Sequence, residues 1–248
     1  MIAQQSFHAC KASISCKIIA KGNFCKMKDI FLLDLDETLL DFQRAERVNF
    51  LSTLKSFGID AGEDVYARYH AINDALWKLL ERGGITRERL TVQRFEELCA
   101  AFGYRADAAA IATSYYENFQ NVCYPFEGAA AFVKALSSRG RVYIVTNGGM
   151  SIQKRHIASS GFEEYLAGVF ISEEMGINKP DVRFCDYLAA HIEGFDRARA
   201  VWMGDSLTSD KLCAERGGID FILYTKEPPA GYNGPVACNY EQAFKLMQ

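Results

Sequence analysis

The stretch "FLLDLDETLLDF", residues 31–42, ends an apolar run with two aspartates, Asp34 and Asp36, and places Thr38 two residues later. A short apolar run of this kind predicts a buried β-strand. Two carboxylates at the end of a buried strand repel each other and are driven towards protonation unless something compensates their charge. The stretch therefore predicts a buried sheet whose edge carries a compensated pair of acids.

The composition is that of an ordinary globular protein. The chain has 248 residues, of which 49% are hydrophobic and 24% charged, which suits one large domain or one domain with an insertion. A net charge of −3 argues against a nucleic acid polymer as partner. No apolar run approaches the roughly 18 residues that a membrane-spanning helix needs, so no membrane association is predicted.

Two further features concern cell location and the start of the chain. The eight cysteines are dispersed and form no C-x-x-C pair, which is typical of reduced thiols in the cytoplasm. Residues 1–26 contain four lysines, no acid and no sustained apolar period. We expect these residues to be a disordered extension, or to precede a usual start at Met27.

Short apolar runs alternate with amphipathic stretches along most of the chain. This alternation predicts an α/β fold in which a Rossmann-like parallel sheet carries helices on both faces. Gly140 and Gly161 follow helical patterns, where a left-handed residue is expected. The predicted strands are 30–35, 142–146, 168–172, 200–204 and 221–225, and the predicted helices are 129–139, 151–160, 182–191 and 209–216.

The interval from 43 to 124 breaks the alternation because it contains no convincing strand. Apolar residues recur there at spacings of three and four, which predicts helices. We therefore expect an all-helical insertion at 43–124 within a core formed by 27–42 and 125–248. The predicted stripes contain Val48, Leu51, Leu54 and Phe57; Val65, Tyr69, Ile72, Leu76 and Leu79; Phe95, Leu98 and Phe102; and Ile111, Tyr115 and Val122.

Polar residues lie at or just beyond the C-terminal ends of three of the predicted strands. Besides Asp34 and Asp36, these are Thr146 and Asn147 at the end of the second strand and Asp205 and Asp210 after the fourth. Because the carboxyl ends of parallel strands line one crevice, we expect these side chains to lie together. Mg²⁺ prefers oxygen ligands and commonly bridges to a substrate phosphate, so it is the expected partner of the clustered acids.

The two acids of the first strand suit phosphoryl transfer. An aspartate can attack phosphorus and form an aspartyl-phosphate. Two residues further along the strand, the carboxyl of Asp36 points to the same side as that of Asp34, so Asp36 can protonate the leaving oxygen and later deprotonate water. Thr38 is expected to hold the turn and Asp36 through hydrogen bonds.

Four short segments together resemble the motifs of the haloacid dehalogenase superfamily. They are "DLDET" (34–38), "VTNG" (145–148), Lys179 in "INKPD" (177–181) and "GDSLTSD" (204–210). The resemblance extends from residue 28 to the C terminus. It implies a Rossmann-like core with a mobile cap, and the helical insertion resembles the helical type of cap.

The resemblance also implies roles for the acids. Asp34 would be the nucleophile and a Mg²⁺ ligand. Asp36 would be the general acid and base and would lend its backbone carbonyl to the metal. Asp205 would ligate Mg²⁺ directly or through water. Asp210 would support the metal shell or orient the motif lysine.

The remaining motif residues are implied to bind the phosphoryl group. Thr146 and Asn147 would hold it through a hydroxyl and a backbone N–H, and Lys179 would neutralise the charge that develops on its oxygens. Asp36 favours phosphoryl transfer over dehalogenation, because the dehalogenases lack an aspartate there. A phosphomutase shares the same residues and stays possible at this point.

Three further segments resemble a branch that includes bacterial pyrimidine 5′-nucleotidases. They are "LDFQRAE" (40–46), "NDALWKLLERGGITRERLTVQRF" (73–95) and "ISEEMGINKPD" (171–181). The implied reaction converts a nucleoside 5′-monophosphate and water into a nucleoside and phosphate. Phe42 and Trp77 could stack on a base, and Asn73 or Arg94 could bond its edge. Trp77 could equally belong to the core of the cap.

The expectation is thus a cytoplasmic, Mg²⁺-dependent phosphatase of a small phosphorylated metabolite, monomeric or homodimeric. The cap would act as a lid, with hinges near 40–46 and 123–128. One alternative is a phosphatase of a sugar phosphate or phosphoglycolate. The other is a non-catalytic binding protein on the same fold, against which the complete set of motif residues argues.

Overall fold

The structure is a computed structural model that describes residues 27–248. The predicted extension at 1–26 lies outside the described residues. A six-stranded sheet with the order β3-β2-β1-β4-β5-β6 forms the core, and all five strand pairings are parallel. The strands are β1 Ile30–Leu33, β2 Arg141–Thr146, β3 Gly168–Ile171, β4 Ala200–Gly204, β5 Asp220–Tyr224 and β6 Val236–Ala237.

The predicted α/β class is confirmed, and five of the strands lie where the sequence places them. The sixth, β6, has only two residues and is too short to leave a periodic signal. Strand β1 lies between β2 and β4, and all four of its side chains are buried. Phe31 and Leu33 enter one core cluster while Ile30 and Leu32 enter another. Burial on both faces explains why the strand is a continuous apolar run.

Four long helices form the cap. They are α1 Phe42–Ser56, α2 Glu63–Glu81, α3 Arg87–Phe102 and α4 Ala108–Phe119. We propose that the cap comprises residues 43–124. Aromatic rings pack at its centre, where Tyr69 stacks on Phe50 with centroids 4.3 Å apart and on Phe95 with centroids 5.3 Å apart.

Val48, Leu79 and Phe102 lie in helices as predicted, but their side chains are 38%, 40% and 37% exposed. In α2 the buried face continues from Leu76 to Leu80. The period of 3.6 residues therefore carries Leu79 past the edge of that face.

The remaining helices cover the two faces of the sheet. Helices α5, α6 and α10 contribute residues to the cluster on one face, and α8 and α9 contribute to the cluster on the other. Among the described residues, no helix is long and apolar enough to cross a membrane. The helices outside the cap are α5 Ala129–Ser137, α6 Met150–Ser159, α7 Ser172–Met175, α8 Val182–His191, α9 Leu212–Gly217 and α10 Tyr240–Leu246.

The two glycines predicted to be left-handed differ. Gly161 has a φ of 76° after α6, as expected. Gly140 is not among the glycines with positive φ. A Cβ added at Gly140 would lie 2.3 Å from the backbone oxygen of Asp29, and that oxygen accepts a bond from the N–H of Arg141. Gly140 therefore permits a close approach of the chains that lead into β1 and β2.

Replacing Gly140 with Ala should lower the free energy of unfolding by about 1–3 kcal/mol, because the added methyl group overlaps rigid backbone. Thermal denaturation followed by circular dichroism measures the change. Ser138→Ala, at an exposed position two residues earlier, serves as the control. Equal midpoints for the two variants would show that the backbone accommodates the methyl group.

Candidate active site

A cavity of about 280 Å³ lies between the carboxyl-terminal edge of the sheet and the cap. Its core side is formed by segments that follow β1, β2 and β4 and by the loop that carries Lys179, as expected for a parallel sheet. Its cap side combines aromatic rings with polar and charged side chains. The core side includes Asp34, Asp36, Thr146, Asn147, Lys179, Asp205 and Asp210, and the cap side includes Phe42, Asn73, Trp77, Arg94, Tyr115, Tyr116 and Phe119.

The two acids of the first motif occupy different surroundings. Strand β1 ends at Leu33, although the N–H of Asp34 still donates to the carbonyl oxygen of Met203 at 2.9 Å. The chain then turns, and Glu37 takes a left-handed φ of 56°. The prediction that Asp34 and Asp36 share one face of a strand is therefore wrong. Both still line the cavity, because the turn directs them there.

Lys179 is the centre of a buried ion-pair network. Its Nζ donates to Oδ1 of Asp34 and Oδ1 of Asp210, at 2.6 Å each, and to the carbonyl oxygen of Val145 at 2.9 Å. The Lys179 side chain is 2% exposed. Burial alone would lower the pKa of Lys179, but Asp210 and Asp34 raise it above its ordinary value. The lysine therefore carries a fixed positive charge beside Asp34.

The carboxylates are nevertheless poorly compensated by protein groups alone. Burial, followed by the neighbouring charge of Asp210, raises the pKa of Asp34 to about 8 despite the opposing effect of Lys179. Burial and then the charge of Asp34 raise the pKa of Asp205 well above its ordinary value. Burial also raises the pKa of Asp36, against the effects of His156 and Gln153. The site would hold these charges more easily with an additional cation.

Three of these acids could share a metal ion. Asp34, Asp205 and Asp210 each offer one carboxylate oxygen, and these oxygens lie within 4.8 Å of one another. An all-oxygen donor set of this charge fits a hard divalent cation such as Mg²⁺. The Asp36 carboxylate is not part of this group.

Asp210 is already engaged by protein donors. Besides Lys179, Nε1 of Trp202 donates to its Oδ1 at 3.2 Å, and the N–H of Ser206 donates to its Oδ2 at 3.3 Å. A Cβ at Gly204 would lie 2.4 Å from Cγ of Asp210, so only glycine permits this approach. Asp210 is thus suited to orienting the lysine.

The predicted phosphate-binding residues are tied to the lysine loop. The Asn147 side chain accepts from the N–H of Lys179 at 2.8 Å and donates to its carbonyl oxygen at 2.9 Å. The Thr146 hydroxyl accepts from the N–H of Gly148 at 3.2 Å. The structure therefore brings Thr146, Asn147 and Lys179 to one wall of the cavity.

Gln153 is a site residue that the sequence analysis missed. It is 2% exposed, and its Nε2 donates to Oδ2 of Asp36 at 2.6 Å and to Oγ1 of Thr146 at 3.1 Å. It therefore joins the first two motifs. A polar residue one turn into a helix after "VTNGG" is a weak signal, because such positions are usually exposed.

Thr38 does not hold Asp36 through a hydrogen bond, contrary to the expectation from the sequence. Its side chain is fully buried, and its hydroxyl has no hydrogen-bond partner among residues 27–248. The backbone carbonyl oxygen of Thr38 instead accepts from the Tyr240 hydroxyl at 2.9 Å. The backbone of the turn after Asp36 is thus bound by the Tyr240 side chain of α10. The Asp36 side chain is bound by Gln153.

The four predicted cap contacts all line the cavity. Phe42 packs edge-on against Phe119, with centroids 5.6 Å apart. Arg94 is 6% exposed; its Nη1 donates to Oδ1 of Asn73 at 3.2 Å. Asn73 in turn donates to the buried carboxylate of Glu46 at 2.7 Å. Trp77 is partly exposed and faces the cavity as well as the cap core.

Two histidines, to which no chemistry was assigned, also line the cavity. Nδ1 of His70 lies 2.7 Å from Oε2 of Glu46, and that hydrogen bond raises the pKa of His70. Nε2 of His156 lies 2.8 Å from the carbonyl oxygen of Phe119. His156 therefore links α6 of the core to α4 of the cap.

Comparisons with known proteins agree with this geometry. Pyrimidine 5′-nucleotidase PynA of Streptococcus pneumoniae is 37% identical over 195 residues, which cover 78% of this chain and 82% of that protein. Pyrimidine 5′-nucleotidase YjjG of Escherichia coli is 29% identical over 79% of this chain and 84% of that protein. HAD-hydrolase YfnB of Bacillus subtilis is 32% identical over 76% of this chain and 80% of that protein.

The same relationship is visible in solved structures. The magnesium-bound crystal structure of YfnB superposes with a TM-score of 0.84 at 28% identity, covering 90% of this chain and 99% of that one, and is described as revealing interdomain movement. The model of the haloacid dehalogenase-like hydrolases matches residues 28–218, a span that contains all four motifs and the cap. The chain is therefore an enzyme that belongs to the haloacid dehalogenase-like hydrolase family.

Proposed function

We propose that this enzyme is a Mg²⁺-dependent phosphomonoesterase that hydrolyses nucleoside 5′-monophosphates, with a preference for pyrimidines. One observation carries the proposal: a single cavity joins the acid and lysine centre of the core to an aromatic wall of the cap. The first part suits a phosphate group, and the second suits a flat ring. Two relatives are pyrimidine 5′-nucleotidases, which supports the choice of ring.

Asp34 is the proposed nucleophile. One of its carboxylate oxygens attacks phosphorus and forms an aspartyl-phosphate, while the bond from phosphorus to the 5′ oxygen breaks. Asp36 gives its proton to the departing oxygen, which leaves as the nucleoside hydroxyl. The raised pKa of Asp36 suits a group that must begin the reaction protonated.

The second step regenerates the enzyme. Asp36 takes a proton from water, and the water oxygen attacks phosphorus and displaces the Asp34 carboxylate, releasing phosphate. Lys179, held at 2.6 Å from Asp34, balances the charge of the phosphoryl oxygens throughout. Thr146 and Asn147 are proposed to bind those oxygens through the hydroxyl and the backbone N–H.

The proposed metal ligands are the carboxylates of Asp34 and Asp205 and the backbone carbonyl of Asp36. Bound Mg²⁺ supplies positive charge that lets the phosphate approach an acidic site. Asp210 supports this arrangement by holding Lys179, to which it is ion-paired at 2.6 Å.

The cap is proposed to hold the base. Phe42 and Trp77 offer ring faces, and Arg94 and Asn73 offer N–H donors; all four residues line the cavity. A pyrimidine base presents carbonyl oxygens, which accept hydrogen bonds from such donors. The guanidinium of Arg94 lies over the Tyr115 ring at 4.6 Å, which holds it in place.

Location and assembly are also proposals. Four cysteines in the described part of the chain, Cys99, Cys123, Cys185 and Cys213, are free thiols, which accords with a reducing cytoplasm. We propose a monomer or a homodimer whose partner is a small phosphorylated metabolite.

Phosphate release from a set of substrates tests the reaction. Wild-type enzyme with Mg²⁺ should be most active on uridine and thymidine 5′-monophosphates, and Asp34→Asn should lower kcat at least about 10³-fold because it removes the nucleophile. Asp186→Asn, at an exposed position outside the cavity, is the control. Faster release from sugar phosphates or phosphoglycolate would identify the alternative substrate class, and undiminished turnover by Asp34→Asn would exclude this nucleophile.

Mg²⁺ should raise the thermal midpoint of the wild-type protein, because a ligand that binds only the folded state stabilises it. The increase should be larger at pH 8.5 than at pH 6.5: Asp34, with a pKa of about 8, must lose its proton to ligate the metal. Asp205→Asn should lose most of the increase, and Asp186→Asn should keep it. A shift that is equal in Asp205→Asn and wild type would place the metal elsewhere.

Arg94→Met should raise KM for uridine 5′-monophosphate roughly 10- to 100-fold, the cost of a lost charged hydrogen bond. It should leave kcat/KM for p-nitrophenyl phosphate nearly unchanged, since that substrate lacks the base. Arg89→Met, on the exposed face of the same helix, is the control. If kcat/KM falls equally for both substrates in Arg94→Met, Arg94 supports the fold and does not bind the base. Arg94→Lys provides a second, milder variant.

A further inference from the structure

Arg87, at the first position of α3, crosses from the cap to the core. Its Nη2 lies 3.0 Å from the carbonyl oxygen of Asn147, 2.9 Å from Oγ of Ser172 and 3.0 Å from Oδ1 of Asn178. Nη2 carries two hydrogens, so the three acceptors share them. One cap side chain therefore binds three separate segments of the core.

Two of these acceptors belong to residues that adjoin or bind the motif lysine, Lys179. Asn178 precedes Lys179 directly in the chain. Asn147 holds the backbone of Lys179 through both atoms of its amide, at 2.8 and 2.9 Å. Arg87 thus ties the end of β2 to the lysine loop at the two points where that loop is anchored.

The surroundings of Arg87 orient its guanidinium. The side chain is only 13% exposed, and the guanidinium lies over the Trp77 ring at 5.2 Å. Nε faces Oε1 of Glu173 at 3.9 Å. The planar group is therefore fixed between a cap ring and a core carboxylate, a geometry that the flexible ammonium of lysine does not reproduce.

Other polar contacts between cap and core end farther from the lysine. Oγ1 of Thr208 donates to Oε2 of Glu81 at 3.1 Å, and the hydroxyls of Tyr116 and Ser151 lie 2.8 Å apart. Neither contact bonds to a residue next to Lys179. Arg87 differs from these contacts because it bonds to Asn147 and Asn178, the residues that anchor the loop of Lys179.

We propose that Arg87 is a positioning residue that couples cap closure to catalysis. With the cap closed, its bonds to Asn147 and Asn178 hold the Lys179 loop so that Nζ meets Asp34. Cap opening, of the kind implied by the interdomain movement described for the YfnB structure, withdraws the guanidinium and releases that loop. Closure over a substrate then completes the phosphoryl-binding wall.

The kinetic part of this proposal rests on the proposed phosphatase activity. Arg87→Ala should lower kcat roughly 10- to 100-fold, as expected for a small misplacement of a catalytic group. The loss should occur with p-nitrophenyl phosphate as well as with a nucleotide, because the lysine acts on the phosphoryl group common to both. Arg89→Ala is the matched control, since Arg89 lies two residues away, is exposed and pairs with Glu96 on the same helix.

Chemical rescue separates positioning from a general loss of structure. Guanidinium at about 10 mM, far below denaturing concentrations, should restore part of the kcat of Arg87→Ala. It should not improve Arg89→Ala or Lys179→Ala. The proposal would be overturned if Arg87→Ala showed no rescue and had the same kcat as Arg89→Ala. It would also be overturned if Arg87→Ala changed only the KM for nucleotides.

Hydrogen exchange followed by mass spectrometry tests the same contact without any substrate. In Arg87→Ala the peptide that spans 176–181 should exchange faster than in wild type, since the N–H of Lys179 donates to Asn147. The helix α8 should be unchanged in Arg87→Ala, and both regions should be unchanged in Arg89→Ala. Wild-type exchange at 176–181 in Arg87→Ala would overturn the coupling, whereas a wild type that hydrolyses no nucleotide would overturn only the proposed function.

Discussion

The structure depends on placing several carboxylates and one lysine in a buried site at the edge of a sheet. Asp34 and Asp210 both contact Nζ of Lys179 at 2.6 Å, yet burial still raises the pKa of Asp34 to about 8. A buried cluster of this kind is costly unless each charge has a partner. The same imbalance that costs stability supports the proposal that the site binds a divalent cation and a phosphoryl group.

The sheet provides the rigidity that this cluster requires. Strand β1 is buried on both faces and lies between β2 and β4. The acids follow β1 and β4, and the proposed phosphate-binding pair lies at the end of β2, so neighbouring strands set the spacing of the site. Gly204 lets Asp210 approach the end of β4 more closely than a side chain would allow.

The cap contributes a different kind of chemistry. Its interior is a cluster of stacked aromatic rings, and a polar chain of Glu46, Asn73 and Arg94 extends from that cluster to the cavity. The core thus presents charge to a phosphate, while the cap presents ring faces and donors to the remainder of a substrate. Arg87 and His156 join the two parts, which supports the proposed coupling between closure of the cap and order in the core.

The sequence by itself determined the α/β class and the helical insertion, and it singled out the motif side chains that the structure brings to one cavity. These inferences depend on local signals: β1 is a continuous apolar run because both of its faces are buried, Asp34 and Asp205 immediately follow strands, and Thr146 ends one. Parallel strands bring such residues to one edge whatever the details of packing. The family motifs repeat the same information in a more specific form.

Only the tertiary structure decided which side chains meet. Gln153, rather than Thr38, holds Asp36, and Arg87 binds residues 60, 85 and 91 positions away. Strand β6 exists because it pairs with β5, and Gly140 is required by the neighbouring backbone of Asp29 rather than by a left-handed turn. Contacts between residues distant in the chain depend on how helices pack against the sheet, and no local pattern of residue types encodes that packing.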